Sequence, residues 1–172
     1  MLALIDAATA RLLGTARGFT DEDVRRPSSL PGWTRGHVLT HVARGADAIR
    51  NLLDGVRTGV PGTPYASQRA RDEAIEAGSG RDAAALVGDL IASAERFRTA
   101  ASLVPVGEWA RPVALPTGAS APAGQLLQRR LVELELHHSD LAAGYGARDW
   151  PEEFAVLDLA EPMRTQREER RS

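Results

Sequence analysis

A chain of 172 residues, 43% hydrophobic and 26% charged, fits one globular domain with a substantial core. A formal net charge of −2 and a pI near 6.1 give no bulk attraction to nucleic acid, and no stretch has the apolar length of a membrane span. The absence of cysteine excludes disulfides, cysteine-type zinc sites and a protein thiol nucleophile, so any sulfur chemistry must use an external thiol.

All 21 basic residues are Arg, which removes Schiff-base chemistry and offers planar, two-pronged recognition of carboxylates. The opening MLALIDAATARLL lacks a basic leader region and a cleavage site, so a cytoplasmic location is expected.

In chain order, four long segments place apolar residues at three- and four-residue steps, and none shows sustained strand-like alternation. The expectation is an all-α bundle in a single domain. A first helix over about 2–17 turns Leu2, Ile5, Ala8, Leu12 and Leu13 inward, and a short turn of helix follows a Thr20 cap on Asp23. Thr34 is the expected cap of a second helix that runs to about Leu53, before the breakers of GVRTGVPGTP.

Residues 65–81 read as a central loop, and a third helix spans about Ala83–Leu103. Residues 104–122 form a long Pro-rich crossover. A fourth helix covers about Ala123–Ala143, ended by Gly144 or Gly146, and Pro151 opens a short fifth helix that Pro162 ends or kinks. The charged tail RTQREERRS is expected to fray. Trp33 and Tyr145 are expected to pack the bundle ends.

Chemistry concentrates on two helices. His41 lies at the edge of the apolar stripe Val38, Val42, Gly45, Ala46, Ile49, Leu52 and Leu53, whereas His37 sits further round with Arg44 and Asn51. On the fourth helix Glu133 and His137, four apart, point the same way beside Leu127, Leu131, Leu134 and Leu141. Glu135 with His138 is the rival pair, but Glu135 falls away from His41 if that stripe faces the core. Two imidazoles and one carboxylate with an open position match the ligand set of catalytic zinc, although nickel, iron and cobalt accept the same donors. Such an ion deprotonates a coordinating thiol. Asp140, three residues after His137, is placed to orient that imidazole or to cap the helix end.

Three words carry a family resemblance: LPGWTRGHVLTHVARGADAI, YASQRARDEAIEAGSGR from Tyr65 to Arg81, and RxxExxxHHxDLxxGYG from Arg130 to Gly146. Over about residues 1–155 the chain resembles the DinB-like superfamily, and within it the mycothiol-dependent maleylpyruvate isomerase N-terminal domain. The resemblance implies a DinB-like four-helix bundle, a divalent metal held by His41, Glu133 and His137, and mycothiol as thiol cofactor of an actinobacterial enzyme. The implied reaction converts maleylpyruvate to fumarylpyruvate by thiolate addition, bond rotation and elimination. The protein's share is thiolate generation, positioning and stabilisation of the enolate charge.

Arg130, one turn before Glu133, is the expected catalytic arginine for an acidic substrate, with Arg69 and Arg71 as further candidates. The chain departs from the family at Val132, where members often carry Arg, and in ending after a charged tail (156–172) where they continue into a C-terminal domain. Two other functions fit the residues. One is a thiol S-transferase acting on an electrophile. The other is a non-catalytic metal-binding or dimeric module, with Val132 and Leu136 as the face of a possible homodimer.

Overall fold

Four helices build the bundle in the computed structural model, which describes residues 1–115 and 118–171: α1 (Leu2–Arg17), α3 (Arg35–Thr58), α5 (Ala83–Ser102) and α6 (Gln125–Asp140). Helix α1 packs on α5 and α6, and α3 packs on the same two, so α1 and α3 occupy opposite corners. The core is the sum of their apolar stripes: Ile5, Ala8 and Leu12 from α1, Val38, Val42, Ala46 and Leu53 from α3, Leu86, Leu90 and Phe97 from α5, Leu126, Leu131 and Leu134 from α6. Burying each large side chain is worth roughly 1.5–3 kcal/mol, so this packing outweighs the modest propensity differences within the helices. Leu2 and Leu13, expected inside, are only half-buried at the edge of the stripe.

The two threonine caps form as the spacing predicts. Thr20 accepts from Asp23 N and starts the five-residue α2 (Asp21–Arg25). Thr34 accepts from His37 N, while His37 Nδ1 accepts from Thr34 N at 3.2 Å, so an imidazole closes a box usually closed by Glu or Gln. His37 is thereby committed to starting α3 and to Glu76, whose Oε2 lies 3.2 Å from its Nε2.

Helix α3 continues five residues past its expected end at Leu53, to Thr58, and stops at Gly59 in the left-handed conformation (φ 76°). Gly55 is tolerated inside it because the returning chain presses there: a Cβ on Gly55 would lie 2.5 Å from Gly62 N.

A second departure is α4 (Gln68–Ser79), which replaces the expected central loop. Its sequence is rich in helix formers, but Ile75 is its one large buried apolar residue, so it lacks the stripe that betrays a helix. It lies against α3 through small residues instead: a Cβ on Gly36 would sit 2.2 Å from Ser79 O, and one on Gly78 would sit 2.5 Å from Thr40 Cγ2.

The crossover from α5 to α6 contains a 3-10 turn (Val106–Ala110) and a hairpin of β1 (Pro112–Ala114) and β2 (Ser120–Pro122), paired antiparallel with Val113 opposite Ala121. Pro116 and Thr117 of this crossover lie outside the described residues.

The tail also differs from expectation. Beyond the short α7 (Glu152–Ala155), α8 (Met163–Glu169) docks on α6. Met163 and Arg167 are buried, and Arg167 Nη1 donates to Phe154 O (2.9 Å) and Leu157 O (2.7 Å). The tail read as frayed is instead helical over Met163–Glu169 and docked, with one arginine capping two main-chain carbonyls there. Ser172 lies outside the described residues. Val132 and Leu136 are buried within the chain, so they do not form an open dimer face. Among the described residues no helix is long and apolar enough to cross a membrane.

Candidate metal centre

Helices α3 and α6 pack side by side, and this contact brings His41 to the Glu133/His137 pair. The three ligand atoms form a nearly equilateral triangle: His41 Nε2 to Glu133 Oε2 is 3.0 Å, His137 Nε2 to Glu133 Oε2 is 3.3 Å, and the two Nε2 atoms are 3.0 Å apart. A tetrahedral zinc with bonds of about 2.0–2.1 Å separates its ligands by about 3.3–3.4 Å, so the triangle needs only slight expansion around an ion. Glu133 Oε2 is buried with no hydrogen bond of normal geometry, although the carboxylate stem is partly exposed. An orphaned acceptor aimed at two ring nitrogens fits a shared cation better than a pairwise bond.

The surroundings orient each ligand. Asp140 Oδ2 lies 2.8 Å from His137 Nδ1, which places a proton there and aims the Nε2 lone pair at the triangle. Trp33 stands edge-on to His41, with ring centroids 5.5 Å apart, and the His41 and His137 rings cross at 87°. Arg71 Nη2 lies 3.2 Å from His41 Nδ1 and donates to it. That bond requires the lone pair on Nδ1, whereas a neutral imidazole ligating through Nε2 carries a proton on Nδ1. Arg71 and an ion therefore ask for opposite tautomers of His41.

Burial depresses the His41 pKa, against the opposing pull of Glu133. Burial also disfavours charge on His137, but Asp140 and Glu133 together outweigh it and raise its pKa to about 9. Glu133 is driven well below the ordinary carboxylate range, because its contacts with His137 and His41 overcome its own desolvation. Without an ion, the cluster at neutral pH is an imidazolium held between two carboxylates.

Beside the triangle opens a cavity of about 180 Å³. Its wall is largely apolar, from Ala48, Ile49, Leu52, Leu115 and Leu126, while Arg71, Arg129 and Tyr65 bring polar groups to it alongside His41 and Glu133. A larger cavity of about 350 Å³ shares only Leu52 with it, is lined by none of the three residues of the triangle, and holds Arg111 as its one charged group.

Arg130 does not reach the metal-side cavity. It is 1% exposed, donates to Val42 O at 2.9 Å and lies over the Phe97 ring, where burial lowers its pKa to about 10. Arg129, four residues before Glu133, takes the cavity position that Arg130 was expected to take; i and i+4 share a helix face more closely than i and i+3 here. The four-residue spacing is visible in the sequence but does not by itself select Arg129 over Arg130, and Tyr65 had no signal of its own. Arg69 is exposed and pairs with Glu73.

The rival pair faces α1: Glu135 is bound by Arg11 and Tyr145, and His138 Nε2 lies 2.8 Å from Thr15 Oγ1 beneath a stacked Tyr145. Burial and the nearby Arg11 lower the His138 pKa to about 4, so that ring stays neutral.

These features define a helical bundle with a two-histidine, one-carboxylate site at a half-open cavity. The model of the mycothiol maleylpyruvate isomerase N-terminal domain matches residues 5–142, and the chain belongs to that family. A crystal structure of the mycothiol-dependent maleylpyruvate isomerase superposes with a TM-score of 0.85 at 31% identity, covering 89% of this chain and 64% of that one. A histidine-to-alanine mutant of that isomerase matches at 30% identity with the same score and coverage. The chain thus spans somewhat under two-thirds of the solved structures it matches. No protein of curated function matches it.

Proposed function

We propose that this protein is a metal-dependent, mycothiol-dependent enzyme of the cytoplasm that isomerises an unsaturated acid of the maleylpyruvate type by reversible addition of the thiol to its conjugated double bond. The observation that carries the proposal is the convergence of His41 Nε2, Glu133 Oε2 and His137 Nε2 on one point beside a cavity edged by two arginines. The likeness to an isomerase named as mycothiol-dependent supports the thiol and the substrate class. A divalent ion held by His41, Glu133 and His137, zinc by its donor set, would supply the positive charge that keeps a thiol deprotonated near neutral pH.

The chain's own residues then divide the work. Asp140 holds the His137 ring in its ligating tautomer. Arg71 and Arg129 offer charge-assisted hydrogen bonds to substrate carboxylates and to the enolate oxygen that gains charge on addition. The apolar wall limits water around the reacting double bond. Arg130 serves the core, not the substrate.

The cavity wall also favours a second reading, a thiol S-transferase for a less polar electrophile. The two part at one measurement. Incubated with mycothiol and maleylpyruvate, an isomerase converts the cis to the trans alkene with catalytic thiol; a transferase consumes thiol stoichiometrically. Absence of turnover with any mycothiol acceptor would leave a metal-binding module. Elemental analysis of wild type, His41→Ala and His137→Ala tests the ligands directly: equal metal content in all three would reject them.

A further inference from the structure

Resting on the metal centre proposed above, we infer that Arg170, at the end of α8, is a positioning residue for that centre, acting through Asp140 on His137. Arg170 Nε donates to Asp140 Oδ1 at 3.0 Å and Nη2 to Oδ2 at 2.9 Å, a two-pronged fork on a carboxylate whose side chain is only 5% exposed. The same Oδ2 takes the Nδ1 proton of His137, and Oδ1 also receives Ser29 Oγ at 3.3 Å. The main-chain oxygen of Asp140 is fixed by Ser29 N at 2.9 Å and by Ser29 Oγ at 3.2 Å.

Among the described residues, the planar fork is the one partner that hydrogen-bonds both carboxylate oxygens. A carboxylate gripped by two parallel N–H bonds cannot rotate about χ2 without breaking both. Its plane sets the direction from which Oδ2 receives the His137 proton, and with it the direction of the Nε2 lone pair. Arg170 lies outside the segment matched by the family model, which ends at residue 142. The C-terminal helix thus supplies the last link of a chain running Arg170, Asp140, His137. This explains why a tail so charged is docked: Arg167 anchors α8 by capping carbonyls, and Arg170 uses the anchored helix to hold the site.

The test measures zinc affinity by competition with a chromogenic chelator, and ligand geometry from the visible spectrum of the cobalt-loaded protein. Arg170→Gln is expected to weaken zinc binding about tenfold, the lower end for loss of an outer partner of a metal ligand, and to alter the cobalt bands. Arg170→Lys, which restores charge without the fork, should fall between Gln and wild type. Arg171→Ala, just beyond α8, which removes contacts to Ala155 O, Glu168 and Trp150 but none to Asp140, should match wild type. In an Asp140→Asn background, Arg170→Gln should add nothing further.

Wild-type affinity and spectrum in Arg170→Gln, with only a lower melting temperature, would reduce Arg170 to an anchor of α8 and overturn the inference. Full additivity with Asp140→Asn would also overturn it. If Arg170→Gln does not fold, an unchanged affinity and spectrum in Arg170→Lys overturns it instead. Failure of the wild-type protein to bind either ion is a different result: it rejects the metal centre itself.

Discussion

Metal binding by this protein should compete with a single proton, the one on His137. In the ion-free cluster that imidazole has a pKa of about 9, because Asp140 and Glu133 flank it closely enough to overcome burial. His41, with its pKa lowered by burial, is neutral near pH 7 and releases no net proton, although its one proton must move from Nε2 to Nδ1 against the Arg71 bond. A ligating Nε2 must be unprotonated, so binding at pH 7 expels a proton held about two units above ambient pH. That costs about 2.7 kcal/mol, or about 100-fold in apparent affinity. Zinc affinity should therefore rise about tenfold per unit from pH 7 to pH 9 and then level off.

Stability of the ion-free protein should move the opposite way over the same window. A folded pKa above the unfolded value of about 6.5 gives stability that is complete below pH 6.5 and lost as pH rises through about 9. Chelator competition across this range measures the slope. Calorimetry in buffers of different ionisation enthalpy counts the proton released, expected near one at pH 7. A flat affinity between pH 7 and 9, or no proton release, would refute the coupling of His137 to its two carboxylates.

Arg130→Ala should lower stability by about 3 kcal/mol, from the lost packing of a fully buried side chain, while metal content stays unchanged; a normal melting temperature with lost turnover would return Arg130 to the substrate. Arg129→Ala should raise KM for an acidic substrate with little change in zinc affinity, which steady-state kinetics beside chelator competition can check. Gly36→Ala forces a Cβ against Ser79 O and should cost a few kcal/mol by prising α4 from α3, seen as faster hydrogen exchange over 68–79; unchanged exchange would contradict the close approach.

Periodicity made the four long helices legible, and the capping threonines Thr20 and Thr34 marked two helix starts to the residue. The candidate triad was legible for the same reason: Glu133 and His137 are local neighbours on one helix turn, and His41 marks the edge of a stripe that must face the core. Helix α4 escaped because it docks through Gly78 and Ser79, leaving no apolar rhythm to read. Arg130 and Arg129 differ by one position and 100° of helix rotation, and only the placement of α3 and Phe97 decides which enters the core.

What the amino-acid order determined by itself is whatever depends on neighbours within a turn or two: helix starts, the buried stripes, and the Glu133/His137 pair. The tertiary structure alone decided contacts between residues far apart in the chain. Among these are the meeting of His41 with His137, the choice of Arg129 and Arg71 for the cavity, and the fork of Arg170 on Asp140. The physical reason is range. Backbone hydrogen bonding and side-chain spacing act over a few residues, whereas packing joins surfaces whose separation in sequence carries no local signature.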